Sequence, residues 1–80
     1  MKNIQLVPAR RQLFETPLSE EQDFYSVAFL LQEVGSWMVS TGVQDPEFDA
    51  LVIERVFPNP ESDESRHTAT LFYRKETDSL

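Results

Sequence analysis

The most regular hydrophobic pattern in the chain has the spacing of an amphipathic helix. Between positions 24 and 38, apolar residues recur every three or four positions, which is the period of one helical face. These residues are Phe24, Val27, Ala28, Leu31, Val34 and Met38. We therefore expect them to form one stripe that packs on a sheet, with Leu31 and Val34 buried between the helix and the sheet.

Signals for the start and the end of a helix flank this stripe. Ser19 and Gln22 have the spacing of an N-terminal capping box, and Gly42 with Pro46 beyond it is typical of a helix end. The pattern predicts one helix over residues 19–41. Gly35 falls on the apolar side, where the missing side chain would admit a close neighbour.

Three further segments have the composition of strands. Residues 1–7 alternate apolar and polar side chains up to Pro8, whereas residues 50–57 and 67–75 are rich in β-branched and aromatic residues. A polar stretch separates the last two segments, so we expect an antiparallel hairpin with a long tip. Residues 8–18 are interpreted as a loop or a short extended segment, and residues 76–80 as a frayed tail.

The predicted order of elements is β-α-β-β. We expect a single domain of the α+β class over residues 1–80, in which a small antiparallel sheet carries the long helix across one face. The place of the first strand stays open, because it can pair with either hairpin strand or lie apart.

Composition and charge exclude several kinds of protein. Fourteen acidic and seven basic residues give a net charge of −7, which argues against a generic binder of nucleic acids or anionic membranes. The chain has no cysteine, so disulfides, thiolate metal sites and cysteine nucleophiles are excluded. No apolar run reaches the roughly 18 residues of a membrane span. We expect a cytoplasmic protein without membrane contact.

Motifs for catalysis, metal binding or cofactor binding are missing. No motif places a nucleophile or a carboxylate beside the single histidine, His67, and two glycines cannot build a phosphate-binding loop. Asp45, Glu47 and Asp49 alternate like calcium ligands, but the glycine and the glutamate that an EF-hand loop needs further along are absent. We therefore expect a protein that is not an enzyme and uses no cofactor.

Two aromatic residues fall outside the predicted apolar stripe. Tyr25 and Phe29 are four residues apart on the otherwise polar side of the helix, where a helix that packs with one face does not need them. Either residues 10–14 fold over them, or they contact a partner protein or a second copy of the chain. Trp37 and Leu30 lie at the opposite flank of the stripe, where Trp37 would widen that contact surface.

Carboxylates concentrate in two places after the helix. One group lies in the turn that follows it and the other at the hairpin tip: Asp45, Glu47 and Asp49, and Glu61, Asp63 and Glu64. Such charges commonly serve solubility, but they also suit recognition of a basic partner. Both interpretations remain open at the level of sequence.

These features together indicate a small acidic, non-enzymatic protein that binds another protein. Its size and charge fit a modulator or inhibitor of a larger, nucleic-acid-handling host protein, of the kind that phages and mobile elements encode. The basic surface of such a protein would attract the carboxylates. An alternative is an accessory subunit of a stable complex, or a homodimer.

A second alternative is a sheet that binds single-stranded RNA, because basic residues lie on or beside the two hairpin strands with aromatic residues interleaved. These residues are Arg55, Arg66, Arg74 and Lys75, with Phe57, Phe72 and Tyr73. The carboxylates around the same strands would repel phosphate. Direct nucleic-acid binding is therefore the weaker hypothesis.

Overall fold

A three-stranded antiparallel sheet with one helix packed on it makes up the described part of the chain. The structure is a computed structural model that describes residues 7–20 and 24–75, and within the helix it describes side chains from Ser26 onward. The elements are strand β1 (Ala9–Glu15), helix α1 (Phe24–Thr41), a 3₁₀ turn (Asp45–Glu47), strand β2 (Phe48–Val56) and strand β3 (Arg66–Arg74). The predicted α+β class and the predicted order of elements are confirmed.

The central strand of the sheet is β3. It pairs antiparallel with β1 on one side and with β2 on the other, so the strand order is β1-β3-β2. The hairpin predicted from residues 50–57 and 67–75 is confirmed. The segment interpreted as a loop or short extended piece supplies β1. The strand predicted over residues 1–7 falls outside the described residues except for Val7, which is not in a strand, and the tail 76–80 falls outside them as well.

The predicted start of the helix at Ser19 was wrong. The Ser19 backbone N–H donates to the Ser65 carbonyl oxygen over 2.9 Å, and the Ser65 N–H donates to the Ser19 carbonyl oxygen over 2.8 Å. This isolated bridge extends the pairing beside β3 and holds Ser19 in an extended conformation. A capping box is a local signal, and here a long-range backbone pairing overrides it.

The helix turns a different side to the sheet from the one predicted. Leu30 is 1% exposed and packs with Val34 on Ala69 of β3, whereas Leu31 is 44% exposed. Burial of Val34 is confirmed, burial of Leu31 was wrong, and Leu30 and Trp37 face the sheet rather than a flank. The helix packs against β3 and β1. This position decides which of two overlapping apolar stripes is covered.

Aromatic side chains pack between the sheet and the second half of α1. The Trp37 ring meets Phe14 of β1 and Tyr73 of β3 edge-on, with ring centroids 6.0 and 5.4 Å apart. Val43 and Leu71 are buried in the same cluster. Edge-to-face aromatic pairs stabilise beyond their area burial. They attach the end of α1 to both β1 and the central strand.

Gly35 lies within α1 and Gly42 directly follows it, and the two glycines have different conformational roles. Gly42 has φ of +79° and its N–H donates to the Met38 carbonyl oxygen over 2.9 Å, so it ends the helix in the left-handed conformation. Gly35 is exposed, with open space around the position that a Cβ atom would take, so the prediction of a close neighbour there was wrong.

We expect Gly35→Ala to raise the free energy of unfolding and Gly42→Ala to lower it, each by about 1 kcal/mol, as measured by chemical denaturation. Destabilisation by Gly35→Ala would show that something approaches the helix at that position.

Candidate protein-interaction groove

An open groove runs between α1 and the outer edge of β1. Adjoining cavities of about 460, 360 and 490 Å³ form it. The first and second cavities share Glu33 and Ser36, and the second and third share Trp37, so they follow one another along the helix. On the strand side they are lined in turn by residues 15–17, by Phe14 and by residues 9–12. We call this continuous depression the β1–α1 groove.

The groove exists because the helix extends over the β1 edge of the sheet. Successive residues of a helix are turned by about 100°, so with Leu30 and Trp37 on the sheet, Phe29 and Glu33 are turned toward the β1 side. Among residues 7–20 and 24–75, β1 pairs with β3 alone and is an edge strand. Alternate peptide groups of an antiparallel edge strand point away from the sheet. A strand added to that edge would place side chains beneath Phe29 and Glu33.

The aromatic residues singled out in the sequence have different environments. Phe29 is 61% exposed and lines the first cavity. Residues 10–14 pair with β3 and do not cover it, because Phe14 is turned inward to Trp37. Trp37 is half-buried in the aromatic cluster and also lines the second and third cavities. The side chain of Tyr25 lies outside what the structure describes.

Two of the three carboxylates that follow the helix, Glu47 and Asp49, are paired within the fold, whereas Asp45 is exposed and is in no ion pair among the described residues. Asp49 accepts a hydrogen bond from Arg74 Nε at 2.9 Å, and a Glu47 oxygen lies 3.6 Å from Lys75 Nζ. The other Glu47 oxygen accepts from the Gln44 backbone N–H at 2.8 Å. These contacts anchor the turn before β2 to the end of β3.

The carboxylates of the hairpin tip carry no such contacts. Within the described ranges, no ion pair involves Glu61, Asp63 or Glu64. The tip is shaped by Asn59 and Ser62, whose side-chain oxygens accept from the backbone N–H groups of Glu61 and Glu64, each at 3.0 Å. The turn and the tip lie at opposite ends of β2, and neither lines the β1–α1 groove.

Glu33 is the groove residue that sequence reasoning missed. It is exposed on α1 and lines both the first and the second cavity. In the sequence it resembles any other carboxylate on the polar side of a helix. Only the position of β1 beneath the helix shows that this side borders a groove.

His67 contacts a serine in a polar cluster at the start of the helix. The Oγ of Ser26 lies 3.2 Å from His67 Nδ1, and the His67 backbone N–H donates to Thr16 Oγ1 at 2.9 Å. Within the described residues no carboxylate is hydrogen-bonded to the imidazole, so the third member that orients a histidine base is missing from this pair. In the same part of the chain, no three His, Asp or Glu side chains are grouped to hold a metal ion. We interpret the Ser26–His67 contact as a tie between α1 and β3.

The basic and aromatic residues of the hairpin are divided between two faces of the sheet. Arg66 lies 3.3 Å from Glu15 on the face away from α1, and Arg74 pairs with Asp49. Arg55 donates to Ser65 Oγ and stacks over Phe57, while Tyr73 is buried beneath the helix. The geometry thus lends no support to a continuous stacking surface for single-stranded RNA.

Comparison with known proteins adds no further constraint on the groove. No family model matches the chain, and no curated protein or solved structure is significantly similar to it. Among the described residues, no helix combines the length and the apolar character needed to cross a membrane.

Proposed function

We propose that this chain is a non-enzymatic protein-interaction module that binds an extended segment of a partner protein along the edge of β1. The observation that carries the proposal is the β1–α1 groove, which accompanies an edge strand beneath an overhanging helix. Unpaired edge groups readily accept another strand. Strand addition supplies affinity through main-chain hydrogen bonds and specificity through pockets for alternate side chains.

The residues of the groove define the chemistry of the segment. Phe29 offers an exposed apolar contact at one end, and Glu33 places a carboxylate in the middle. Arg10 and Arg11 line the other end, so the basic residue of the segment belongs beside Glu33. The chain as a whole has a net charge of −7. A segment whose groove-facing side chains, at every second position, include an apolar residue beside Phe29 and a basic residue beside Glu33 matches these features.

The hairpin tip adds long-range attraction to the same kind of partner. Its carboxylates, Glu61, Asp63 and Glu64, are not in ion pairs within the described ranges, so their field is not cancelled locally. Such charges raise association rates more than they raise affinity. Basic segments are typical of proteins that handle nucleic acids, and covering such a segment would make this chain a modulator or inhibitor of that partner.

Titration of the ¹⁵N-labelled chain with two short peptides tests this proposal. At every second position, the positions that face the groove, one peptide carries Val and Lys in turn and the other carries Val and Glu in turn, with Thr at the positions between. We expect the Lys peptide to shift the amide resonances of β1 and of α1 around Phe29 and Glu33, and the Glu peptide to leave them in place. Glu33→Arg should weaken the Lys peptide by about tenfold and favour the Glu peptide, because one attraction becomes a repulsion.

Glu61→Arg is the matched control, since it changes the net charge equally but lies at the hairpin tip. It should slow association while leaving the pattern of shifted resonances unchanged. Shifts that avoid β1, or a Glu33→Arg variant that binds the Lys peptide as the parent chain does, would overturn the assignment of the groove.

A further inference from the structure

The face of the sheet turned away from α1 carries an apolar patch. Directly opposed residues of paired strands point to the same face, so the register places Leu13, Thr70 and Val52 in one row across β1, β3 and β2. Phe72 and Ala50 lie in the neighbouring row. Leu13 is 53% and Val52 is 42% exposed. We call this side, which α1 leaves uncovered, the open face.

Two unpaired charges of opposite sign flank this patch. Arg11 lies opposite Phe72 on the β1 side, and Glu54 lies opposite Thr68 on the β2 side. Neither is in an ion pair or a side-chain hydrogen bond within residues 7–20 and 24–75, whereas Arg66 and Arg74 on the same face are neutralised by carboxylates. Arg11 and Glu54 are separated by two inter-strand spacings across the sheet and by four residues along the strands. They therefore lie about 16 Å apart, at diagonally opposite corners of the apolar patch.

We propose that two copies of this chain pair through their open faces in a two-fold symmetric dimer. A two-fold axis that lies between the two sheets, crosses the Thr70 row and is perpendicular to the Arg11–Glu54 diagonal exchanges the two corners of the patch. Arg11 of each protomer then lies over Glu54 of its partner, and the apolar rows pack on each other. Such an interface is isologous, so a single Arg–Glu complementarity is used twice.

A second copy is the occupant that the charge layout fits. A cation and an anion at diagonal corners of one apolar patch are complementary to a second copy that is turned over about this axis, so the face matches itself. The β1–α1 groove lies on the helix side, but Arg11 also lines its third cavity. Glu54 lines none of the three cavities, so substitution of Glu54 tests the open face separately from the groove.

The size of the face sets the strength of the dimer. Three strands of seven to nine residues cover about 400 Å² in projection at about 4.8 Å between strands and 3.3 Å per residue. Two such faces give about 800 Å² in total, which is below the roughly 1,200 Å² of stable interfaces and in the range of weak, transient contacts. The charge of −7 on each protomer opposes association at long range. At physiological ionic strength the Debye length of about 8 Å screens that repulsion but leaves contact pairs largely intact. We therefore expect a weak, reversible dimer that forms at high protein concentration.

Sedimentation equilibrium of the full chain and of charge-reversal variants tests the dimer. The parent chain should associate reversibly. Arg11→Glu and Glu54→Arg should each weaken dimerisation by about tenfold or more, because each places two like-charged pairs in the interface. The double variant carries both reversals, has the net charge of the parent chain and should restore association.

Glu61→Arg serves again as the control, since it shares the charge change of Glu54→Arg outside the open face, and should not weaken dimerisation. Circular-dichroism melts should show all variants folded, as the altered side chains are exposed and unpaired. A parent chain that stays monomeric, a double variant as weak as the single ones, or a Glu61→Arg variant as weak as Glu54→Arg would overturn the proposed interface.

Discussion

Leu30→Ala is expected to lower the free energy of unfolding by about 2 to 5 kcal/mol, the cost of truncating a leucine in a closed core. Leu30 is 1% exposed and packs with Val34 and Ala69 at the contact between α1 and the central strand. Little of the cavity can be refilled, since its walls are a helix and a sheet that are held by their own hydrogen bonds. Urea denaturation followed by circular dichroism measures the loss.

The neighbouring residue provides a matched control. Leu31→Ala removes the same atoms from the same helix, but Leu31 is 44% exposed, so the expected loss is below about 1 kcal/mol. The pair of variants measures the rotation of the helix directly. Equal losses, or a larger loss at Leu31, would show that α1 turns its other stripe to the sheet.

Phe29→Ala is expected to separate stability from binding. Phe29 is largely exposed above the β1 edge, so its truncation should leave the melting temperature nearly unchanged. The same variant should weaken the alternating Val and Lys peptide by about 2 kcal/mol, the scale of an aromatic interface anchor. Thermal melts and the peptide titration provide the two readouts. The sequence predicts a similar role for Tyr25, and adding Tyr25→Ala tests that residue by the same two measurements.

Val39→Ala is the control for Phe29→Ala. Val39 is exposed on the same helix but lines none of the three cavities of the groove, so neither stability nor peptide affinity should change. A marked fall in melting temperature for Phe29→Ala would mean that the ring is covered within the protomer. Unchanged binding would remove Phe29 from the interaction surface.

Local signals were sufficient for much of the fold. The β-branched and aromatic segments around the polar stretch 58–66 predict the β2–β3 hairpin, and the register confirms it. The three- and four-residue spacing predicts the body of α1, and Gly42 predicts its end. Each of these features depends on interactions between residues near one another in the sequence, which is why the sequence alone carries them.

The candidate groove could be predicted only in part. Phe29 was identified because a large aromatic on a polar helix side has no partner on its own helix. Glu33 was not identified, and two of the three carboxylates of the acidic turn, Asp49 and Glu47, proved to be paired with Arg74 and Lys75. Whether a carboxylate is free or paired depends on residues distant in the sequence, so composition and clustering do not decide it.

Tertiary structure decided the start and the rotation of the helix. The capping-box pattern at Ser19 does not start the helix, because the Ser19 backbone is hydrogen-bonded to Ser65, a residue of the distant hairpin. The stripes that contain Leu30 and Leu31 share Val34 and differ by a small turn of the helix, so periodicity cannot choose between them. The choice follows from where α1 lies on the sheet.

The sequence determines the body of the helix, the β2–β3 hairpin and the net acidity of the chain, whereas β1 (Ala9–Glu15) arises from a segment that was interpreted as a loop or short extended piece. The pairing of β1 beside β3 was decided by the tertiary structure, and both proposed surfaces depend on it: the β1–α1 groove, and the open face on which Arg11 and Glu54 lie at opposite corners. The physical reason is that strand pairing joins residues about 50 to 65 positions apart, through backbone groups that every residue shares. Side-chain patterns within one segment cannot specify that pairing.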